Sequence, residues 1–450
     1  MRDLAFLAFL ATLFGAGLKR PFLLVLTYVY IDIVAPQRLT YYLLNALPIS
    51  LIAVALAVGG WLLADDKRDL RIAPRQVLIV VLLAYSGLTT LSADFPLEAR
   101  DKWDWVWKAL AFAAFLPLTL RTRLRIEALL TFMVIAASSI IVVGGIKTLA
   151  SGGGYGALNL IIDDNSGLYE GSTISTVAIA IIPVILWITR FGTIFPPEWK
   201  MRIYAYALCF ACLLIPIGTE TRTGLICILL LAVLMLRETK RRMLYIAAMG
   251  IAAAIAVPLL PHSFTDRMQT IKTYQGDASA ATRVAVWKWT WDYVKDHPLG
   301  GGFEAYRQNK VKIDLKTTKA NGEGVQVAQS TEAYDQARAY HSAYFEMLGE
   351  QGFPGLAMWL VLQIAGLIRM EAVRRRFRKP APGQEWITPL ATALQHGQLI
   401  YLVGALFIAI AFQPFMFMLM AAQIGLDGYC ARAFRPAVRP MRSTPALQPA

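Results

Sequence analysis

Long apolar runs alternate with short charged connectors along almost the whole chain. A helix needs about 20 mostly apolar residues to cross a bilayer core. The runs that suit this are Leu43–Ala64, Val77–Ala93, Trp105–Leu120, Ile126–Leu149, Ser172–Thr189, Ile203–Ile217, Thr223–Leu236, Met243–Leu260, Tyr344–Ile368 and Leu399–Ile424, the last with Pro414 as a candidate break. The stretch Leu4–Val34 is interrupted by Lys19-Arg20. A Lys-Arg pair is costly at the bilayer centre, so this stretch reads as two short spans in a hairpin. The pattern predicts an all-α, polytopic membrane protein with about twelve transmembrane helices. Its expected divisions are transmembrane helices over 1–260, an extramembrane, partly helical segment over 261–343, further transmembrane helices over 344–429 and a tail over 430–450.

Composition agrees with the pattern. Of 450 residues, 57% are hydrophobic and only 16% are charged, against about a quarter charged in soluble domains. The net charge of +14 would suit a nucleic-acid partner, but the positions of the charges argue otherwise. Lys67, Arg68, Arg71 and Arg75 share one connector. Arg121, Arg123 and Arg125 share a second, Arg237, Lys240, Arg241 and Arg242 a third, and Arg369, Arg374, Arg375, Arg376, Arg378 and Lys379 a fourth. These four alternate consistently if all face the cytoplasm, as short basic loops do. The loops at 94–104, 150–171, 218–222 and 261–340 then face outward. The basic excess therefore sets topology against membrane lipids, and no nucleic acid is expected. Cys209-x-x-Cys212 has redox or metal spacing but lies within Ala-Leu-Cys-Phe-Ala-Cys-Leu-Leu, with no polar ligand beside it, so apolar packing is expected. No small-residue cleavage pattern follows the first apolar run, so Leu4–Leu18 is expected to remain in the mature chain.

The outward segment 261–340 is too long for a simple connector. Within it, Ala281–Asp296 reads as an amphipathic helix with Val284, Trp287, Trp291 and Val294 on one face. Trp287, Trp289 and Trp291 suit a helix lying at headgroup level. His297-Pro298 followed by Gly300-Gly301-Gly302 reads as a helix stop and flexible turn. Residues 310–335 are polar, without a clear period, and read as a mobile loop.

Three residues could carry chemistry on the outward side. Arg222, in Gly218-Thr-Glu-Thr-Arg-Thr-Gly224, is either half of a loop ion pair with Glu220 or a permanently charged fork for phosphate or pyrophosphate. Arg283, one turn before Trp287, is either solvated among lipid headgroups or part of a shared site. His341 is the one histidine at an outward helix entrance. It is either a helix-cap histidine or a base that takes a proton from a sugar hydroxyl, kept neutral by nearby arginines. Asp163-Asp164 is a bare carboxylate pair. No P-loop, GxSxG or HExxH pattern occurs, and no acidic cluster accompanies the outer loops. Neither metal nor cofactor is expected.

At these residues the chain resembles the O-antigen ligase and polymerase superfamily. The resemblance rests on Glu220-Thr-Arg222-Thr-Gly224, on Arg283 to Trp287 running into His297-Pro-Leu-Gly-Gly-Gly302-Phe-Glu-Ala-Tyr306, and on His341-Ser-Ala-Tyr344 with Glu350-Gln-Gly352 after it. Ser342 stands where the family commonly has Asn, and Glu-Thr precedes Arg222 where Ser is common. Met1-Arg-Asp-Leu, Lys19-Arg-Pro-Phe22 and Ala35-Pro-Gln-Arg-Leu39 resemble an O-glycosylation ligase subgroup associated with exosortase systems. The resemblance implies a metal-independent glycosyltransferase of the bacterial inner membrane with a periplasmic active site. Its donor would be a glycan on undecaprenyl pyrophosphate and its acceptor the lipid A–core oligosaccharide, as in lipopolysaccharide assembly. Arg222 and Arg283 would hold the pyrophosphate and His341 would act as base. An O-antigen or exopolysaccharide polymerase and a protein O-oligosaccharyltransferase use the same donor. A lipid-linked glycan transporter is the alternative without covalent chemistry, and it predicts discontinuous helices and midplane charges.

Overall fold

The computed structural model describes residues 2–40, 44, 47–68, 70–152, 168–237, 239, 241–256, 278–320, 326–434. The chain is mostly helical. Helices α1 (Arg2–Lys19), α2 (Phe22–Val34), α3 (Pro36–Leu39), α4 (Ile49–Ala64), α5 (Pro74–Leu91), α6 (Pro96–Thr119), α7 (Arg123–Ser151), α8 (Gly171–Phe191), α9 (Trp199–Gly218), α10 (Arg222–Arg237) and α11 (Arg242–Ala256) come first. After them come α12 (Ala278–Asp296), a 3-10 turn (Ala305–Gln308) and strands β1 (Lys310–Ala320) and β2 (Gln326–Gln336). Helices α13 (Ala343–Arg376), α14 (Ile387–Gly404) and α15 (Pro414–Ala433) complete the described fold.

Five described helices, α5, α7, α8, α9 and α13, are long and apolar enough to cross a membrane. The expected count of about twelve draws also on shorter or more polar helices, such as the apolar α2 and α4. The first apolar stretch does divide at its basic pair: α1 ends at Lys19, and α2 starts after Pro21 and packs back on α1. Proline opens several helices, at Pro74, Pro96 and Pro414. Its missing N–H costs nothing in the first turn, where no intrahelical acceptor exists.

Side-chain contacts sort the helix ends into two layers. In one, the Arg125 guanidinium makes two 2.6 Å bonds to Asp65 and stacks over Phe22. Arg123 donates to the Phe191 carbonyl, and the Trp187 indole donates to the Trp386 carbonyl. This is the basic end. The opposite layer holds the starts of α6, α8, α10 and α13 together with α12 and the hairpin.

Three expectations need correction. Leu399–Ile424 is not one span. The chain turns over 405–413, and Pro414 opens a separate helix, α15. Helix α14 begins at Ile387 but carries Thr388, Gln395, His396 and Gln398, which dilute its hydropathy. Second, within the expected loop β1 and β2 pair antiparallel as a hairpin, with Lys310 opposite Gln336 and Ala320 opposite Gln326. Its backbone groups pair with one another. The alternation of Val311, Ile313 and Leu315 with Lys310, Lys312, Asp314 and Lys316 is the strand signal, short and embedded in polar sequence. Third, the packed face of α12 is Val286, Thr290 and Val294, all fully buried, whereas Val284 and Trp291 are exposed. The helix is rotated from the expected face because Trp287 turns to the chain before α13.

Candidate active site

The segment after α12 builds the frame. Gly300 and Gly302 adopt positive φ, at 83° and 75°, which glycine alone tolerates without strain. This lets the 298–302 backbone run against a break in α13. Gly352 has φ 62° and ψ −166°, interrupting the helix ladder. The Gly301 and Gly302 N–H groups donate 3.0 Å bonds to the Gly349 and Glu350 carbonyls, and Phe353 N–H donates to the Pro298 carbonyl. The Tyr85 hydroxyl donates to the Leu299 and Gln351 carbonyls. The glycine run is therefore a held turn, correcting the expected flexible one. A broken helix is a feature that the transporter reading predicts. Here the loop itself occupies carbonyls at the break instead of leaving them to line an ion path.

A buried charge cluster sits beside this joint. Lys102 Nζ, from the first turns of α6, lies 2.7 Å from Glu346 and 2.8 Å from Glu350. Glu350 is wholly buried and also accepts the Glu304 N–H at 3.1 Å, while Glu346 accepts the Ala411 N–H at 2.9 Å. The cluster ties α6, α13, the 303–304 turn and the 405–413 turn together. Sequence reasoning passed over Lys102 and Glu346. Glu350 entered only through the Glu-x-Gly pattern, since nothing in a linear sequence pairs residues so distant.

His341 stands just before α13, exposed, with φ 47°, a region uncommon for residues with a Cβ and one that clusters at functional sites. The hairpin delivers it. Asn309 clamps the strand bases through its side chain, donating to the Arg338 carbonyl and accepting the Arg338 N–H. Tyr340 is buried against Val286 and Val311. The Trp287 indole N–H donates 2.8 Å to the Tyr340 carbonyl, and its ring stacks on Phe345 with centroids 5.0 Å apart. Arg283 lies one turn earlier on α12. Partial desolvation holds the His341 imidazole below its usual pKa; the Arg283 and Arg338 cations act in the same direction and Glu170 in the opposite one. His341 thus lies within electrostatic reach of Arg283, and also of Glu170 and Arg338, which sequence reasoning missed.

Arg222 reaches the same layer by a different route. It opens α10 two residues after Glu220, another residue at positive φ. Thr221 donates 2.9 Å to Ser175 in the first turns of α8, and Ser175 also bonds Thr219. Gly224 packs against Pro216 and Ser175. Glu170 caps that same α8 terminus, accepting from the Thr173 backbone and hydroxyl. Gly404 abuts Thr176, and the Ala343 N–H donates to the Ala405 carbonyl. The α8 terminus therefore lies between the Arg222 turn and the α13 start that carries His341. Among the described residues no group of three or more His, Cys, Asp or Glu could hold a metal ion. Asp163-Asp164 lies outside the described residues.

Residues 207–360, which span the Arg222 turn, α12, the hairpin, His341 and the α13 break, match the family model of the O-antigen ligase. Over these residues the chain belongs to the O-antigen ligase superfamily. Residues 1–193 match a family of unknown function, which leaves the exosortase-associated subgroup as an expectation. No curated protein matches the chain. The match over 207–360, together with the candidate spans, supports glycosyl transfer by a multi-pass membrane protein, with a lipid-linked glycan and an acceptor as the general partners.

Proposed function

We propose that this protein is an O-antigen ligase that transfers a glycan from undecaprenyl pyrophosphate to a hydroxyl of lipid A–core oligosaccharide, at the periplasmic face of the inner membrane. The observation that carries the reading is an exposed, positive-φ His341 within electrostatic reach of the Arg283 cation, in the helix-end layer that also holds Arg222. The span count of about twelve belongs to the same proposal.

In the proposed reaction the acceptor oxygen attacks the anomeric carbon of the donor glycan. A new carbon–oxygen bond forms there as the bond to the pyrophosphate oxygen breaks. His341 accepts the hydroxyl proton as that bond forms and releases it to solvent, to which it is exposed. Undecaprenyl pyrophosphate leaves with the bonding electron pair. Arg222 and Arg283 stabilise the charge growing on the leaving oxygen, the role a divalent ion fills elsewhere. Cations beside the base serve both ends of the reaction, because they keep the imidazole neutral and receptive while attracting the diphosphate.

The deciding experiment incubates purified protein with lipid-linked donor and lipid A–core, then follows both by mass spectrometry. Glycosylated lipid A–core with free undecaprenyl pyrophosphate supports the ligase. Extension of the lipid-linked glycan alone would instead assign a polymerase.

A further inference from the structure

We infer that the basic end of the bundle carries a binding site for the phosphate headgroup of an anionic bilayer lipid, distinct from the glycan-transfer site. A cavity of about 140 Å³ opens there between the start of α5, the end of α6, α13 and the last turns of α15. Arg71, Arg369 and Arg432 line it, with Asp427 as the one carboxylate. Asp427 is already engaged: Arg369 donates to both of its oxygens, at 2.9 and 2.8 Å. Behind it stands Arg75, only 6% exposed, whose Nη2 lies 3.9 Å from Asp427 and makes no hydrogen bond. The other terminal nitrogen of Arg75 is held by Gln423 at 3.2 Å. Arg75 and Arg369 thus share one carboxylate, and a buried cation whose counter-charge is already bound by a second guanidinium is costly. A phosphate seated in the cavity would supply that charge through charge-assisted bonds, for which guanidinium forks are suited.

The walls favour a lipid over free phosphate. Pro117 and Ile424 line the cavity beside the arginines, a mixed surface that suits a headgroup with glycerol and the first acyl carbons. The site also lies at the ends of α5 and α13, two helices able to cross a membrane. Basic pockets between spanning helices bind such headgroups.

The test uses the full-length protein in neutral detergent and native mass spectrometry with cardiolipin, phosphatidylcholine or inorganic phosphate added. Cardiolipin should be retained in preference to phosphatidylcholine. Arg71→Gln should weaken that retention by about tenfold, one charge-assisted contact. Ala431→Glu adds a carboxylate at the cavity lining without removing any existing bond, and should weaken it similarly. Arg378→Gln/Lys379→Gln removes charge at the same end but away from the cavity, and should leave retention intact. Equal losses in the cavity and distal variants would overturn the site in favour of diffuse surface attraction. No preference over phosphatidylcholine would overturn it outright, and equal protection by inorganic phosphate would overturn the lipid assignment.

Discussion

The indole N–H of Trp287 donates a 2.8 Å hydrogen bond to the backbone carbonyl of Tyr340. That bond clips α12, with Arg283 one turn back, to the residue preceding His341. Trp287→Phe keeps an aromatic ring for Phe345 but removes the donor. A neutral hydrogen bond contributes about 0.5–1.5 kcal/mol, so transfer should fall roughly two- to tenfold. Steady-state rates with the folded variant check this; unchanged rates would mean the clip does not position the pair.

The acid limb of the transfer rate reports on His341. Its pKa is lowered by desolvation and by Arg283 and Arg338, and raised by Glu170. The neutral base should therefore persist below the usual histidine range, and activity should fall only as the pH drops through the lowered value. Arg283→Gln should move this limb to higher pH, and Glu170→Gln should move it to lower pH. A pH–rate series on the three proteins decides; a limb that ignores both substitutions belongs to another group.

His341→Ala should reduce transfer by about 10²–10⁴-fold, the contribution of a general base, while donor binding is largely kept. Arg222→Ala and Arg283→Ala should instead weaken donor use, by about one to two decades. Arg222→Lys should restore only part, because an ammonium cannot make the planar two-point contact. Single-turnover rates beside donor-binding titrations separate these cases.

Lys102→Met strands Glu346 and Glu350 without their cation in a buried site. Breaking such a pair costs about 3–5 kcal/mol, so thermal unfolding in detergent should shift clearly downward. Lys102→Met/Glu350→Gln should recover part of the loss, since one stranded carboxylate is gone. A double variant as unstable as the single would mean that lost packing, not charge, dominates.

Transfer should survive a chelator without added magnesium or manganese, because the proposed site places arginines where a metal would otherwise stabilise the leaving diphosphate. Activity lost in chelator and restored by either metal would contradict the arginine assignment.

Much of this protein is determined by sequence alone. A hydrocarbon solvent imposes a length and an apolar composition on each crossing helix, so runs such as Ile126–Leu149 and Ser172–Thr189 announce α7 and α8 directly. Lys19-Arg20 marks a helix boundary for the same reason. Arg222 and His341 stand out as ionisable side chains at span ends, where charge is tolerated, and Arg283 as one on the outward amphipathic helix. What only the tertiary structure decided are the relations between distant backbone segments. The 298–302 turn entering the break at Gly352, Lys102 meeting Glu346 and Glu350, and Trp287 turning α12 toward Tyr340 all join residues far apart in the chain. Polar groups buried in such a bundle must find partners wherever the packed helices bring them. Local periodicity carries no record of which partner that will be.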